Sequence, residues 1–278
     1  MTFAPTSLLL AAVVGMMSGA HTAIWGMYKD APHEGFTLPK YFRSIIVSTL
    51  VALFIDRVVG FRPDTYPHAA VFFGMVYAGE RLLVELWKTF IREEDQSKYF
   101  IPMQFAVFGR PIKSRPVRWA ILLAVVIVIT LTVWGVTRLQ ASYPDTPKWL
   151  VLLLASAGGW FSAFGGAWKD APVEGFETFK FFRSPAIATT WSTVMAFFTD
   201  NWVFMGLAGI GYTVATIETY KTFFFPNKPR GKFAGKPILF PRILEQRKYV
   251  AILYACIWIA VATNLVLAAM GPRDGLLP

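Results

Sequence analysis

Long apolar runs alternate with short charged segments along the whole chain. Eight runs stand out, at about residues 5–27, 43–60, 67–88, 118–138, 149–168, 184–203, 204–222 and 249–270. Each approaches the roughly 20 helical residues that cross a hydrocarbon core about 30 Å thick. Helix is the natural conformation for such runs, because it satisfies the backbone hydrogen bonds within the segment. The pattern predicts an all-α polytopic membrane protein with about eight transmembrane helices.

The charged segments contain a repeat. Residues 29–44 read KDAPHEGFTLPKYFRS and residues 169–184 read KDAPVEGFETFKFFRS, with 11 of 16 positions identical at an offset of 140 residues. Such agreement in segments rich in charge, glycine and proline marks a duplicated unit. Further correspondences extend it. Glu85–Leu–Trp–Lys88–Thr–Phe matches Glu218–Thr–Tyr–Lys221–Thr–Phe, Gly109–Arg–Pro–Ile112 matches Gly235–Lys–Pro–Ile238, and Phe–Ile–Asp56 matches Phe–Thr–Asp200. The chain therefore divides into two four-helix repeats, 1–140 and 141–278. An even number of spans per repeat gives both the same orientation, with a pseudo-two-fold axis along the membrane normal.

Composition agrees with a membrane chain: of 278 residues, 55% are hydrophobic and only 16% charged. The single cysteine, Cys256, cannot form an internal disulfide. The first run ends near Ser18–Gly19–Ala20, which would suit a signal-peptide cleavage site, but Met1–Ser7 lacks the positive charge of such a leader. Gly19 and Gly26 also align with Gly159 and Gly166, so this run belongs to the repeat and is expected to stay.

Charge sets the expected orientation. Segments after the first, third, fifth and seventh runs carry 21 of the 27 lysines and arginines, against 5 in those after the second, fourth, sixth and eighth; Arg81 lies within a run. The positive-inside rule then places both repeated turns and the two basic loops, about 89–117 and 223–248, in the cytoplasm and both termini outside. Charge bias and compact size fit a bacterial inner membrane. The loops mix bases with aromatics, and the anionic inner leaflet is a nearer partner for them than nucleic acid. A short surface helix or re-entrant turn at headgroup level is expected in each.

The repeated turn brings both signs of charge to the membrane surface. Lys29, Asp30, Glu34 and Arg43, with Lys169, Asp170, Glu174 and Arg183, form the candidate substrate-binding set. Lysine and arginine suit an anionic group, and aspartate and glutamate suit a divalent cation. The turn equally serves as a helix cap with its charges mutually satisfied; Pro32 and Gly35 are expected to break the helix there. Glu85 with Lys88 and Glu218 with Lys221 lie three residues apart on one helix face, as ion pairs or coupling groups. In the first copy Arg81 lies four residues before Glu85 and follows Glu80; Thr213 and Val214 replace Glu80 and Arg81 in the second. Asp56 and Asp200 sit near the outer ends of their runs and are candidates for a proton or cation path, Asp200 the more interesting because no arginine follows it.

No metal-ligand spacing, phosphate-binding glycine loop, dinucleotide fingerprint or nucleophile elbow occurs, and His21, His33 and His68 have no counterparts in the second copy. No catalytic residue and no cofactor are assigned. Gly158–Gly159 and Gly165–Gly166 are read as sites of close helix packing. The K…EG element of the turn resembles cytoplasmic-loop motifs of polyprenol kinases and lipid cytidylyltransferases, which are multi-helix membrane enzymes; its spacing differs and their other motifs are missing, so no residue role is carried over. Three functions follow: a transporter or lipid-translocating protein, a membrane enzyme acting on a phosphorylated lipid, or a structural subunit of a membrane complex. Two whole copies of the turn favour the first. Membrane lipids are the expected partners, with a homo-oligomer or larger complex open.

Overall fold

The computed structural model describes residues 5–224, 231–272 and 274–278. Lys228, Arg230 and Arg273, counted among the loop and terminal charges above, lie outside the described residues. Helices occupy all eight apolar runs: α1 (Pro5–Glu34), α2 (Leu38–Phe54), α3 (Tyr66–Leu86), α4 (Arg115–Ser142), α5 (Lys148–Ala155) with α6 (Ala157–Glu174), α7 (Thr178–Met195), α8 (Trp202–Phe223) and α9 (Pro241–Met270). Single π turns, Ile55–Val59 and Trp87–Ile91, prolong α2 and α3. A hairpin of two-residue strands, β1 (Ala106–Val107) and β2 (Arg110–Pro111), interrupts an otherwise all-α fold.

Four stretches among the described residues are long and apolar enough to cross a membrane: Ser7–Glu34, Arg115–Ser142, Lys148–Glu174 and Pro241–Met270. They support a membrane protein. By the same measure the other four runs fall short of the eight crossings expected. Helix α2 has only 17 residues, Lys180, Arg183 and several serines and threonines dilute α7, α3 carries Glu80, Arg81 and Glu85, and glycine, threonine, tyrosine and Glu218 dilute α8.

The centre of the molecule is the crossing of α3 on α8, which approach so closely because glycines face each other. A Cβ on Gly74 would lie 2.7 Å from the Ala208 carbonyl oxygen, and one on Gly211 would collide with the Gly74 backbone. The Tyr212 hydroxyl donates to the Ala70 carbonyl at 3.0 Å across the same seam. Helix pairs α1–α2 and α6–α7 flank it in matching fashion. Gly19 lies against the Ser44 carbonyl, and Gly159 against that of Ser184. Packing is thus right for Gly159, and Gly158 meets Ile210, but a Cβ on Gly165 or Gly166 would meet nothing within 4 Å among the described residues. The fifth run is broken at Ser156, where the hydroxyl bonds the Leu153 carbonyl just ahead of Gly158–Gly159.

Helix α4 stands apart. Leucine, isoleucine, valine and tryptophan are exposed along it, and Arg118 is its buried residue. Arg118 anchors the helix by donating to the carbonyls of Phe90 (3.2 Å), Ile112 (3.0 Å) and Lys113 (3.1 Å) and pairing with Glu93. Hydrogen bonds from a charged donor are each worth about 1.5–3 kcal/mol. Replacing Arg118 with methionine should therefore lower stability by about 2 kcal/mol, read as a fall in the thermal unfolding midpoint in detergent. An unchanged midpoint would show that this anchor contributes nothing.

Candidate functional site

The repeated turns end α1 and α6. Contrary to expectation, Pro32 and Pro172 do not break their helices, which run on to Glu34 and Glu174. Proline removes the N–H that would bond the carbonyl four residues earlier. For Pro32 that carbonyl belongs to Tyr28, and the Arg247 guanidinium fills the gap by donating to it at 3.2 Å. The stops are Gly35 and Gly175, at φ +80° and +87°, a left-handed conformation in which glycine has no Cβ to strain.

Each basic loop covers the other copy's turn. From the second loop, Leu239 and Phe240 N–H groups donate to the Pro32 carbonyl at 2.8 and 2.9 Å, and His33 Nδ1 lies 2.7 Å from the Pro237 carbonyl. From the first, Gly109 at the hairpin tip lies against Pro172 and Val173, and Phe108 packs on Trp168 with ring centroids 5.3 Å apart. The loops join through Phe100 N–H donating to the Lys232 carbonyl at 2.7 Å and a small core of Tyr99, Met103 and Phe233. The short helices expected there are 3-10 turns, Gln96–Lys98 and Gly231–Phe233, held on the bundle. Beside them Glu94 is held below the usual carboxylate range: burial opposes its charge, but Lys98, Tyr99 and Arg92 outweigh that.

The candidate charges divide into three groups. Between α1 and α8, Lys29 Nζ donates to Glu218 Oε2 at 2.8 Å, joining residues 189 positions apart, and Lys221 holds the other oxygen at 3.2 Å. Glu85 pairs with Lys88 at 3.2 Å and Arg81 at 3.8 Å, and attracts Lys169 electrostatically. Lys29 is thus bonded to Glu218, whereas Lys169 acts on Glu85 only at longer range. Arg81 also grips Glu80, both buried, and lies over Trp25 (5.2 Å), whose indole N–H donates to Tyr77 Oη at 2.8 Å.

The remaining turn residues line two separate cavities. The first, of 70 Å³, includes Asp30, Glu34, Lys40, Arg43, Arg81 and Lys88. The second, of 180 Å³, includes Asp170, Glu174, Lys180, Arg183, Glu218 and Lys221. In the first, Lys40 bonds Glu34 at 2.8 Å, and Lys232 lies 2.9 Å from Asp30 and 3.4 Å from Glu34. In the second, Lys180 holds both carboxylates, Asp170 at 2.8 Å and Glu174. Burial works against the Lys180 charge, but hydrogen bonds to Asp170 and Glu174 win and raise its pKa. Its stabilising contribution is present at neutral pH and is lost only as pH rises through that raised value. Arg43 lies over Trp87 at 5.2 Å. The Nε atoms of Arg43 and Arg183 are buried without a hydrogen-bond partner among the described residues.

Lys232 escaped the sequence reading. Counting back from the matched Gly109 and Gly235, it aligns with the uncharged Ala106, and that mismatch was the available signal. The two remaining aspartates differ in surroundings. Asp56 is buried, 3.4 Å from Arg57 and 3.9 Å from Arg62, and accepts from Ser7 at 3.1 Å. Asp200 is exposed beyond the end of α7, which stops at Met195 instead of continuing to 203. The chain's last residues close that end: Leu277 N–H donates to the Ala196 carbonyl at 2.8 Å. Neither aspartate joins the turn residues. No group of three or more His, Cys, Asp or Glu gathers as metal ligands among the described residues. Comparison with protein-family models, curated proteins and solved structures finds no match to the chain.

Proposed function

We propose that this chain is a multi-pass inner-membrane protein of two parallel four-helix repeats, which binds an anionic solute or lipid headgroup at its cytoplasmic turns and moves it across the bilayer. The observation that carries this reading is the arginine pair. Arg43 and Arg183 stand at matching positions, each line a cavity, and each keep a buried Nε–H unmet. An unmet buried donor costs about 1–3 kcal/mol unless an acceptor arrives, and arginine suits phosphate or carboxylate.

Movement draws on a second feature. At the opposite end of α3 lies an apolar cavity of 810 Å³ reaching Tyr66, Phe73 and Tyr212. Phe73 and Arg81 are only about 12 Å apart along the helix at 1.5 Å per residue, so a packed layer around Tyr77, Trp25 and His21 separates the cavities at the two ends. Eight crossings, with both termini outside, accommodate that layer in the bilayer centre. The metal-dependent enzyme reading is weaker, because lysine ammonium groups already take up Asp30, Glu34, Asp170 and Glu174.

The test is reconstitution in liposomes with a fluorescent anionic phospholipid, following its loss from one leaflet. The double variant R43A/R183A should slow movement at least tenfold, the equivalent of about 1.4 kcal/mol. Equal rates for wild type and variant would remove the arginines from the function.

A further inference from the structure

We infer that the second cavity binds a zwitterionic group carrying a primary ammonium and a phosphate, the chemistry of ethanolamine phosphate, and that Lys232 fills the first cavity as a built-in substitute for the ammonium. The inference rests on the anion-binding reading of Arg183 and adds the cationic half of the ligand.

Lys232 shows what the paired carboxylates of the turn accept. Its ammonium, on a residue 202 positions from Asp30 in sequence, sits between Asp30 and Glu34 with its side chain only 9% exposed. The Phe233 and Tyr99 rings lie 4.8 and 5.2 Å from it. Two carboxylates with aromatic faces make an ammonium site.

The second cavity repeats the carboxylates without the plug. Ala106 takes the aligned position in the first loop, so no lysine arrives from there. Smaller residues enlarge the space: Gly158, Ser162, Ala167 and Val214 line it where the first copy has Ser18, Thr22, Met27 and Arg81. Lys180 spans Asp170 and Glu174, whereas its counterpart Lys40 bonds Glu34 alone. An incoming ammonium therefore takes Asp170 and leaves Lys180 on Glu174, reproducing the first cavity. The phosphate falls to Arg183, three residues along α7 from Lys180 on the same face, with its Nε unmet, and to Lys221. Phe161, Phe164 and Trp168, exposed along α6, give acyl chains an apolar track beside the cavity if the source is a lipid.

The experiment is native mass spectrometry of the purified full chain with phosphatidylethanolamine, phosphatidylglycerol or free ethanolamine phosphate. Wild type should retain one ethanolamine headgroup per chain, preferred over the glycerol headgroup about tenfold or more, as expected for a charge-assisted bond gained. D170N/E174Q should abolish the preference. S162L, which fills the cavity without removing a charge, should abolish binding, and circular dichroism checks that both variants are folded. K232A, by emptying the first cavity, should raise retention to two. Binding of free ethanolamine phosphate as tightly as the lipid would identify a soluble source; binding of the lipid alone would identify the membrane. Equal retention of both lipids by wild type would overturn the ammonium assignment while leaving the anion site standing. An unchanged stoichiometry in K232A would overturn the plug. Retention of none of the three would overturn this inference and the anion reading together.

Discussion

Gly211→Ala should be among the most damaging single-methyl changes available to this protein, lowering stability by about 3 kcal/mol or more. The added carbon would point into the carbonyl of Gly74 and towards the amide of Ala78, both backbone, so no side chain can swing away to admit it. Relief requires α3 and α8 to move apart. That would break the Tyr212 hydroxyl bond to Ala70 and loosen the Phe73–Tyr212 ring contact at 5.6 Å. Gly135→Ala, in open space on α4, is the matched comparison. It gains helix propensity and should raise stability by up to about 1 kcal/mol. Thermal midpoints in one detergent measure both. Similar small shifts for the two variants would mean that the α3–α8 seam yields more easily than its geometry implies.

Glu218→Gln should have the next largest effect, about 3 kcal/mol, because it strands two ammonium groups in a largely buried place. Lys29 and Lys221 share this one carboxylate, at 2.8 and 3.2 Å, with side chains only 20% and 22% exposed. Lys29→Met should be milder, since Glu218 then keeps Lys221. The double variant K29M/E218Q separates the pair from the background: coupling above about 1 kcal/mol is expected for groups in direct contact, against about 0.3–0.5 kcal/mol for independent sites. Additive losses would show that the bridge between α1 and α8 is not a real tie. The same cycle bears on function, because this bridge joins the turn of one copy to the third helix of the other.

The two similar turns stand in different surroundings. In the first, Lys232 and the Glu80–Arg81 pair fill the space beside the turn; in the second, Val214 and small residues leave it open. The likeness of the two turns is visible in the sequence itself, as 11 of 16 identical positions at a fixed offset. The asymmetry was half legible: the loss of Glu80 and Arg81 was visible, but the arrival of Lys232 from a distant loop was not. The burial of Asp56 and the exposure of Asp200 were not legible, for a related reason. Adjacency to Arg57 suggested a mere surface pair, whereas burial of Asp56 depends on Ser7 and Arg62 closing over it.

What the sequence determined by itself is local or periodic. Apolar runs became helices because an apolar segment must satisfy its own backbone. Glu85–Lys88 and Glu218–Lys221 paired at 3.2 Å because three residues on a helix are nearly one turn. The left-handed stops followed from Gly35 and Gly175. Tertiary structure alone decided which distant groups meet: Lys29 with Glu218, Lys232 with Asp30, Arg247 with the carbonyl that Pro32 leaves free. It also placed the two turns at two separate cavities. The reason is physical. A long-range contact forms only where packing puts two distant groups together, and no spacing along the chain records that.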